Sequence, residues 1–204
     1  MDNVYWIGGP PDCGKTTIAD LLAARHGLQV YHFDRHEMAH FAKATPDAHP
    51  ALWAAHPDRM TTEQRWLGSP PDVMARDTIA CWSERVEMAF EDLRAMPSSP
   101  AIIAEGPGFF PEAISPLIDT PRRAIWLAPT EAFKRASVER RGKPGNRHET
   151  SDPERATHNL IERDLLMTAH IRESAAKHGF RLVEIDGSEG VEAIADLVEA
   201  HFGL

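Results

Sequence analysis

The sequence predicts a three-layer α/β domain: a five-stranded parallel sheet with helices on both faces. Three observations predict it. Five short runs rich in β-branched and aromatic residues recur along the chain, and stretches with helical spacing of apolar residues separate them. Each run is almost continuously apolar instead of alternating, the mark of a strand covered on both faces. Strands that alternate with helices pair in parallel, because a parallel neighbour needs a crossover long enough to hold a helix.

The elements follow in order. "NVYWIG", residues 3 to 8, is the first strand and ends in glycine; "TTIADLLAARHG", from Thr16, has helical spacing closed by Gly27. "LQVYHF", from Leu28, is the second strand. Residues 36 to 71 are rich in His, Pro, Arg and Trp with weak periodicity, and are expected to leave the sheet as an irregular excursion. A helix over about 72 to 96 puts Trp82, Val86 and Phe90 on one apolar face, predicted to be core. "PAIIAEG" to Gly106, "RRAIWLA" to Ala128 and "FRLVEIDG" to Gly187 are the remaining strands. Helical patterns over 111 to 119, 130 to 141, 153 to 178 and 189 to 202 lie between or after them. Residues 141 to 153, "RGKPGNRHETSDP", are polar and form a second excursion. No internal repeat is visible, so residues 1 to 204 are read as one domain.

Composition bounds what this domain does. With 42% hydrophobic and 26% charged residues it is globular, and no apolar run approaches the roughly 20 residues of a membrane span. The first residues lack a basic region followed by an apolar stretch, so no export signal is expected. Two cysteines, Cys13 and Cys81, without metal spacing suit a reducing cytoplasm. A net charge of −9 disfavours binding to a nucleic acid polymer, while leaving room for a small anion site.

Such a site stands between the first strand and the first helix. Gly9-Pro-Pro-Asp-Cys-Gly14-Lys15-Thr16 fits G-x-x-x-x-G-K-[ST] at every required position. Multiplying residue frequencies gives about one chance match in 500 for a chain of this composition. The backbone N–H groups from Asp12 to Thr16 are placed to wrap a phosphate at the positive end of the helix, with Thr17 following in the first turn. Gly14 permits close backbone approach, Lys15 reaches the β- and γ-phosphates, and the Thr16 hydroxyl ligates Mg²⁺. Cys13 is read as a spacer in this loop, with a thiol activated by the helix end as the alternative.

With this loop in place, the chain resembles the small-molecule kinases among the P-loop NTPases: shikimate kinases, chloramphenicol phosphotransferases and nucleoside monophosphate kinases. The element order is similar over nearly the whole chain, although only Gly9 to Thr16 is highly specific. The resemblance implies the P-loop NTPase fold, ATP and Mg²⁺ as cofactors, and transfer of the γ-phosphate to a small hydroxylated or phosphorylated acceptor. It implies that Asp34, after the second strand, contacts the acceptor hydroxyl or Mg²⁺ and serves as base. Glu105, ending the third strand, stands where the second magnesium-site carboxylate belongs, and Gly106 and Gly108 are similar to a glycine-rich substrate loop. Arg140 and Arg141 precede the polar excursion, read as a lid, and are expected to act on the transferring phosphate; Arg163 lies beyond it and, with Arg35, is expected on the substrate side. Asp186 and Gly187 follow the last strand, where such kinases place a loop against adenine. In three respects the chain departs from the group: the magnesium-site acid is Glu instead of the commoner Asp, the lid contains only Arg147 within its loop, and residues 36 to 71 resemble none of the group's substrate-binding inserts. A monomer or homodimer, with no membrane partner, is expected.

Two other readings compete. A regulatory module would bind nucleotide without phosphorylating an acceptor. A zinc hydrolase would use His36, Glu37 and His40 of "HEMAH", the HExxH spelling. That pattern arises by chance in roughly one chain in twenty of this histidine content. Neither His49, His56 nor Glu63 has the spacing of the extended motif, and Lys43 stands where its glycine belongs. His36 and His40 are therefore read as ordinary residues of an acceptor-side helix. The D-x-x-G and N-K-x-D runs of switch GTPases are absent.

Overall fold

A computed structural model describes residues 1–141 and 146–204. The sheet contains β1 (Val4–Gly8), β2 (Gln29–His32), β3 (Ile102–Glu105), β4 (Ala124–Pro129) and β5 (Arg181–Ile185), all parallel, in the order β2-β3-β1-β4-β5. The predicted α/β class and five-stranded sheet are what the chain adopts.

Side-chain alternation along each strand divides the core. Val4 and Trp6 of β1, Ile102 and Ala104 of β3, and Ala124 and Trp126 of β4 face one layer, with Phe90 of α5 (Pro71–Ala95) and Met167 of α8 (Pro153–Lys177). Ile7, Ile103, Ile125 and Leu127 face the other, with Leu22 of α1 (Lys15–His26) and Val198 of α9 (Val191–Phe202). Continuous apolar strands therefore bury both faces, as a doubly covered parallel sheet requires. α1 stops at Gly27, whose φ of 63° is the left-handed geometry of a helix end.

The long excursion is more regular than its weak periodicity predicts. It forms α2 (Glu37–Lys43), α3 (Pro50–Ala54) and α4 (Thr62–Leu67). Helices of five to seven residues are too short to display a 3.6-residue repeat, and they rest on tertiary contact and caps. Thr61 and Gln64 make a capping box at α4. Glu84 of α5 accepts from the backbone N–H groups of Ala51 and Leu52 at 3.0 and 2.7 Å, capping α3 from outside. Phe41 and Leu52 pack on α5, whereas Trp66 packs on Leu160 and Ile161 of α8.

Other differences are local. The pattern over 111 to 119 yields only α6 (Pro111–Ile114) followed by a short 3₁₀ turn. Val86 and Phe90 are core as predicted, but Trp82 is only partly buried, because it lines a cavity under the excursion. α7 (Glu131–Arg141) leads into the expected lid, of which 142–145 lie outside the described residues. No helix among the described residues is long and apolar enough to cross a membrane.

Candidate active site

Parallel strands direct their carboxyl ends to one edge of the sheet, so the segments after β1, β2 and β3 converge there. The glycine loop leaves β1 at Gly9, which has a φ of 137° and no room for a Cβ: one would lie 2.2 Å from the Leu127 carbonyl. Gly14, with a φ of 91°, turns the chain into α1. Within this turn Asp12 also has a positive φ, 69°, a conformation in which Asp is enriched.

The turn is held from outside. Lys134 of α7 is fully buried, and its Nζ donates to Asp12 Oδ2 at 3.0 Å and to the Pro11 carbonyl at 3.2 Å. It also pairs with Asp164 Oδ2 of α8 at 2.5 Å. Arg163 donates twice to the other Asp164 oxygen, at 2.9 and 2.7 Å. The loop is thereby tied through two buried groups to α7 and α8.

Lys15 is buried, with Nζ donating to the Pro10 carbonyl at 2.8 Å and lying 3.6 Å from Cys13 Sγ. The Cys13 thiol donates to the same carbonyl at 3.1 Å. Thr16 Oγ1 donates to Glu105 Oε1 at 3.1 Å, joining the first turn of α1 to the end of β3. His32, at the end of β2, places Nδ1 2.8 Å from that carboxylate oxygen and Nε2 3.2 Å from Asp20 Oδ1. A hydroxyl and a carboxylate this close are hard oxygen donors that fit Mg²⁺.

Asp34 sits one residue beyond Phe33 in a 3₁₀ turn after β2. Its side chain reaches solvent, yet loss of hydration in the recess raises its pKa; Lys15 opposes this, and the Glu105 charge reinforces it. Arg85, fully buried on α5, also acts on Asp34; its Nη2 donates to the Phe33 carbonyl at 2.9 Å and its Nη1 to Glu37 Oε1 at 3.1 Å. Burial lowers the Arg85 pKa, an effect that Glu37 and Asp34 resist.

Lys15, Thr16, Glu105 and Asp34 are thus brought together. Gly106 and Gly108 are buried against Phe33 instead of lining an open loop; a Cβ on Gly108 would stand 2.3 Å from the Phe33 ring. Arg35 and Thr17 are exposed, and Arg35 makes no hydrogen bond or ion pair among the described residues. Arg140 lies with its guanidinium carbon 5.9 Å from the Phe133 ring, against which a Cβ on Gly187 would also press at 3.0 Å. Asp186 is exposed and accepts from Ser188 N–H at 2.8 Å. The Arg141 side chain lies outside what the structure describes. His36 and His40 turn toward Asp92 on α5, and Glu37 away from them toward Arg85.

A cavity of about 390 Å³ lies between the excursion and α5, with Phe41, Met74, Trp82, Glu37, Arg65 and Arg163 among its lining. No residue of the glycine loop lines it. It connects to the loop's surroundings through Glu37, three residues after Asp34, and through Arg163, beside Asp164.

Sequence reasoning missed Lys134 and its pairing with Asp164, Arg85, and the His32–Asp20 contact. Arg85 alone carried a signal: it interrupts an otherwise apolar stripe, four residues after Cys81 and four before Ala89.

No protein-family model matches the chain, and no curated protein matches it. Solved structures do share its fold. The shikimate kinase from Acinetobacter baumannii in complex with shikimate is 16% identical over 100% of this chain and 94% of that one, with a TM-score of 0.54. The deoxyadenosine kinase from M. mycoides with bound dATP is 12% identical over 98% of this chain and 100% of that one, with a TM-score of 0.52. The chain has the three-layer α/β fold of these P-loop small-molecule kinases.

Proposed function

We propose that the chain is an ATP-dependent phosphotransferase that moves the γ-phosphate of MgATP to a small hydroxylated or phosphorylated acceptor. The observation that carries this reading is the meeting of Lys15, Thr16, Glu105 and Asp34 at the carboxyl edge of three adjacent parallel strands. The two kinases that share the fold support it.

In this reading the loop from Gly9 to Thr16, including Asp12 and Cys13, holds the nucleotide phosphates with Thr17 behind it. Thr16 and Glu105 hold Mg²⁺. When bound, MgATP supplies the phosphoryl group and the cation that neutralises charge spreading over it. Lys15 adds a second positive charge, presented at a fixed point by its loop. Asp34 accepts the proton of the acceptor hydroxyl, a task suited by a carboxyl whose pKa has moved toward neutrality. Arg140 and Arg141 approach the nucleotide from the lid side, and Phe133 with the Asp186–Gly187 turn forms the adenine side. Gly106 and Gly108 let Phe33 seat beneath Asp34. Arg35 and Arg163 serve the acceptor, for which a cavity of about 390 Å³ is of small-molecule size.

Isothermal titration with a non-hydrolysable ATP analogue and Mg²⁺ tests this. Micromolar binding to the native chain, lost in Lys15→Ala with its fold intact, is expected; a thermal-shift screen of the complex against alcohols, sugars and nucleosides then finds the acceptor. Absence of binding by any nucleoside triphosphate overturns the proposal.

A further inference from the structure

Where α2 crosses α5, three ligand-bearing side chains meet outside the phosphate loop. His36 Nδ1 lies 3.3 Å, and His40 Nε2 2.9 Å, from one oxygen, Asp92 Oδ2. The Tyr31 hydroxyl donates to the same oxygen at 3.0 Å, and Lys43 Nζ stands 3.4 Å from Oδ1. Tyr31 and His40 hydrogen-bond to that oxygen and fill its lone pairs, and His36 Nδ1 crowds it at 3.3 Å as a third neighbour without a hydrogen bond. An ion lying among the two rings and the carboxylate relieves that crowding, because each ring nitrogen then directs its lone pair to the metal and competes no longer for the oxygen.

The spacing fits such an ion. Ligand atoms about 2.0 to 2.1 Å from a tetrahedral zinc are about 3.3 Å apart; the two ring-to-carboxylate distances, 3.3 and 2.9 Å, lie near this, and the two ring nitrogens are within 4.8 Å of each other. The rings are already held in place. His36 stacks on Tyr31 with centroids 4.4 Å apart and planes at 21°, and His40 is completely buried. Little ordering therefore remains for binding to impose. Two imidazoles and one carboxylate suit zinc over magnesium or calcium, which prefer all-oxygen shells.

We propose that His36, His40 and Asp92 bind Zn²⁺ with three protein ligands and a fourth position open to water. The HExxH histidines thus find their third ligand far along the chain, on α5. Glu37 is turned to Arg85 at 3.1 Å and is not placed as a peptidase base. The ion fastens α2 to α5, two of the walls of the acceptor-side cavity, and this role does not depend on phosphotransfer.

The test is zinc titration of chelator-treated, full-length chain, with the visible absorption of the Co²⁺ form reporting the ligand set. One tight Zn²⁺ per chain is expected, weakened at least tenfold in His36→Ala and in Asp92→Asn and unchanged in Glu37→Gln. Circular dichroism and a thermal melt of each metal-free variant report that it is folded. No tight site in the native chain, full affinity in both ligand variants, or loss of affinity in Glu37→Gln each overturns the proposal.

Discussion

Replacing Lys134 with Met keeps a side chain of similar length and removes one charge from the interior. Its ammonium sits between Asp12 Oδ2 at 3.0 Å and Asp164 Oδ2 at 2.5 Å, with its own side chain fully buried. Breaking a buried ion pair by removing one partner costs roughly 3 to 5 kcal/mol. Two features place this substitution at the low end. Asp164 retains both hydrogen bonds from Arg163, and the Asp12 side chain is 20% exposed and keeps some hydration. The expected loss is about 3 kcal/mol, which for a domain of this size lowers Tm by roughly 6 to 12 °C. Urea unfolding at pH 7 reads the first figure and a thermal melt the second. Because Lys134 also restrains the loop turn at Asp12, analogue affinity is expected to fall alongside. The double variant Lys134→Met with Asp164→Asn should lose less than the two single losses added together, by about 1 kcal/mol. A loss below about 1 kcal/mol in the single variant, or strict additivity in the double, refutes the view that these charges form one unit.

Three further outcomes are expected. Asp34→Asn should cut kcat far more than it weakens nucleotide binding, and should also raise Tm at neutral pH, because a folded-state pKa above the ordinary value means that the ionised form works against folding; unchanged kcat removes Asp34 from the role of base. Gly108→Ala should destabilise by about 1 to 3 kcal/mol in urea unfolding, since the new Cβ meets a Phe33 ring that is itself buried with nowhere to retreat; a neutral effect refutes the tight fit. The Glu112–His170 pair should set both edges of a stability plateau. Burial raises the Glu112 pKa, but hydrogen bonds from His170 and Ser174 overcome it and hold the carboxyl down at about 2, so its contribution is present above 4.5 and lost as pH falls toward about 2. The hydrogen bond to Glu112 raises His170 above 6.5 despite burial, so its contribution is complete below 6.5 and lost as pH rises through the raised value. In stability measured against pH, His170→Gln should flatten the alkaline limb; an unchanged limb refutes the assignment.

The strands and long helices were legible because their signals are local. Each observed strand overlaps a quoted apolar run, and α5 and α8 each begin and end within a residue of the predicted spans. The loop from Gly9 to Thr16 was legible for the same reason: its chemistry is contiguous. What escaped notice depends on partners far apart in sequence. Nothing in "TEAFKRAS" shows that Lys134 will meet Asp12, 122 residues earlier. His32 gains its meaning only when strand register sets it beside Glu105. The short helices α2, α3 and α4 are held by α5 and α8, so their stability is written partly in other segments. The HExxH spelling was not read as a zinc peptidase from the sequence, and in the fold Glu37 turns to Arg85 instead.

The excursion is divided between two supports. α2 and α3 rest on α5, with Glu84 gripping the start of α3; α4 is fastened to α8 by Trp66 and by the Asn159 amide on the Trp66 carbonyl at 2.9 Å, and to the segment just before α8 by Glu63 on Ser151 at 2.6 Å. The cavity's walls thus rest on two helices that also pack on each other through one core layer, and are linked by the stretch from Ala55 to Thr61 and by Arg65 reaching back to the Ala55 carbonyl at 3.1 Å. Any shift of α8 relative to α5 would change the width of the cavity, with the 55 to 61 stretch as its spine. Since Asp164 on α8 also meets Lys134 at the glycine loop, adjacent residues of one helix serve both places: Arg163 lines the cavity and Asp164 helps hold the loop.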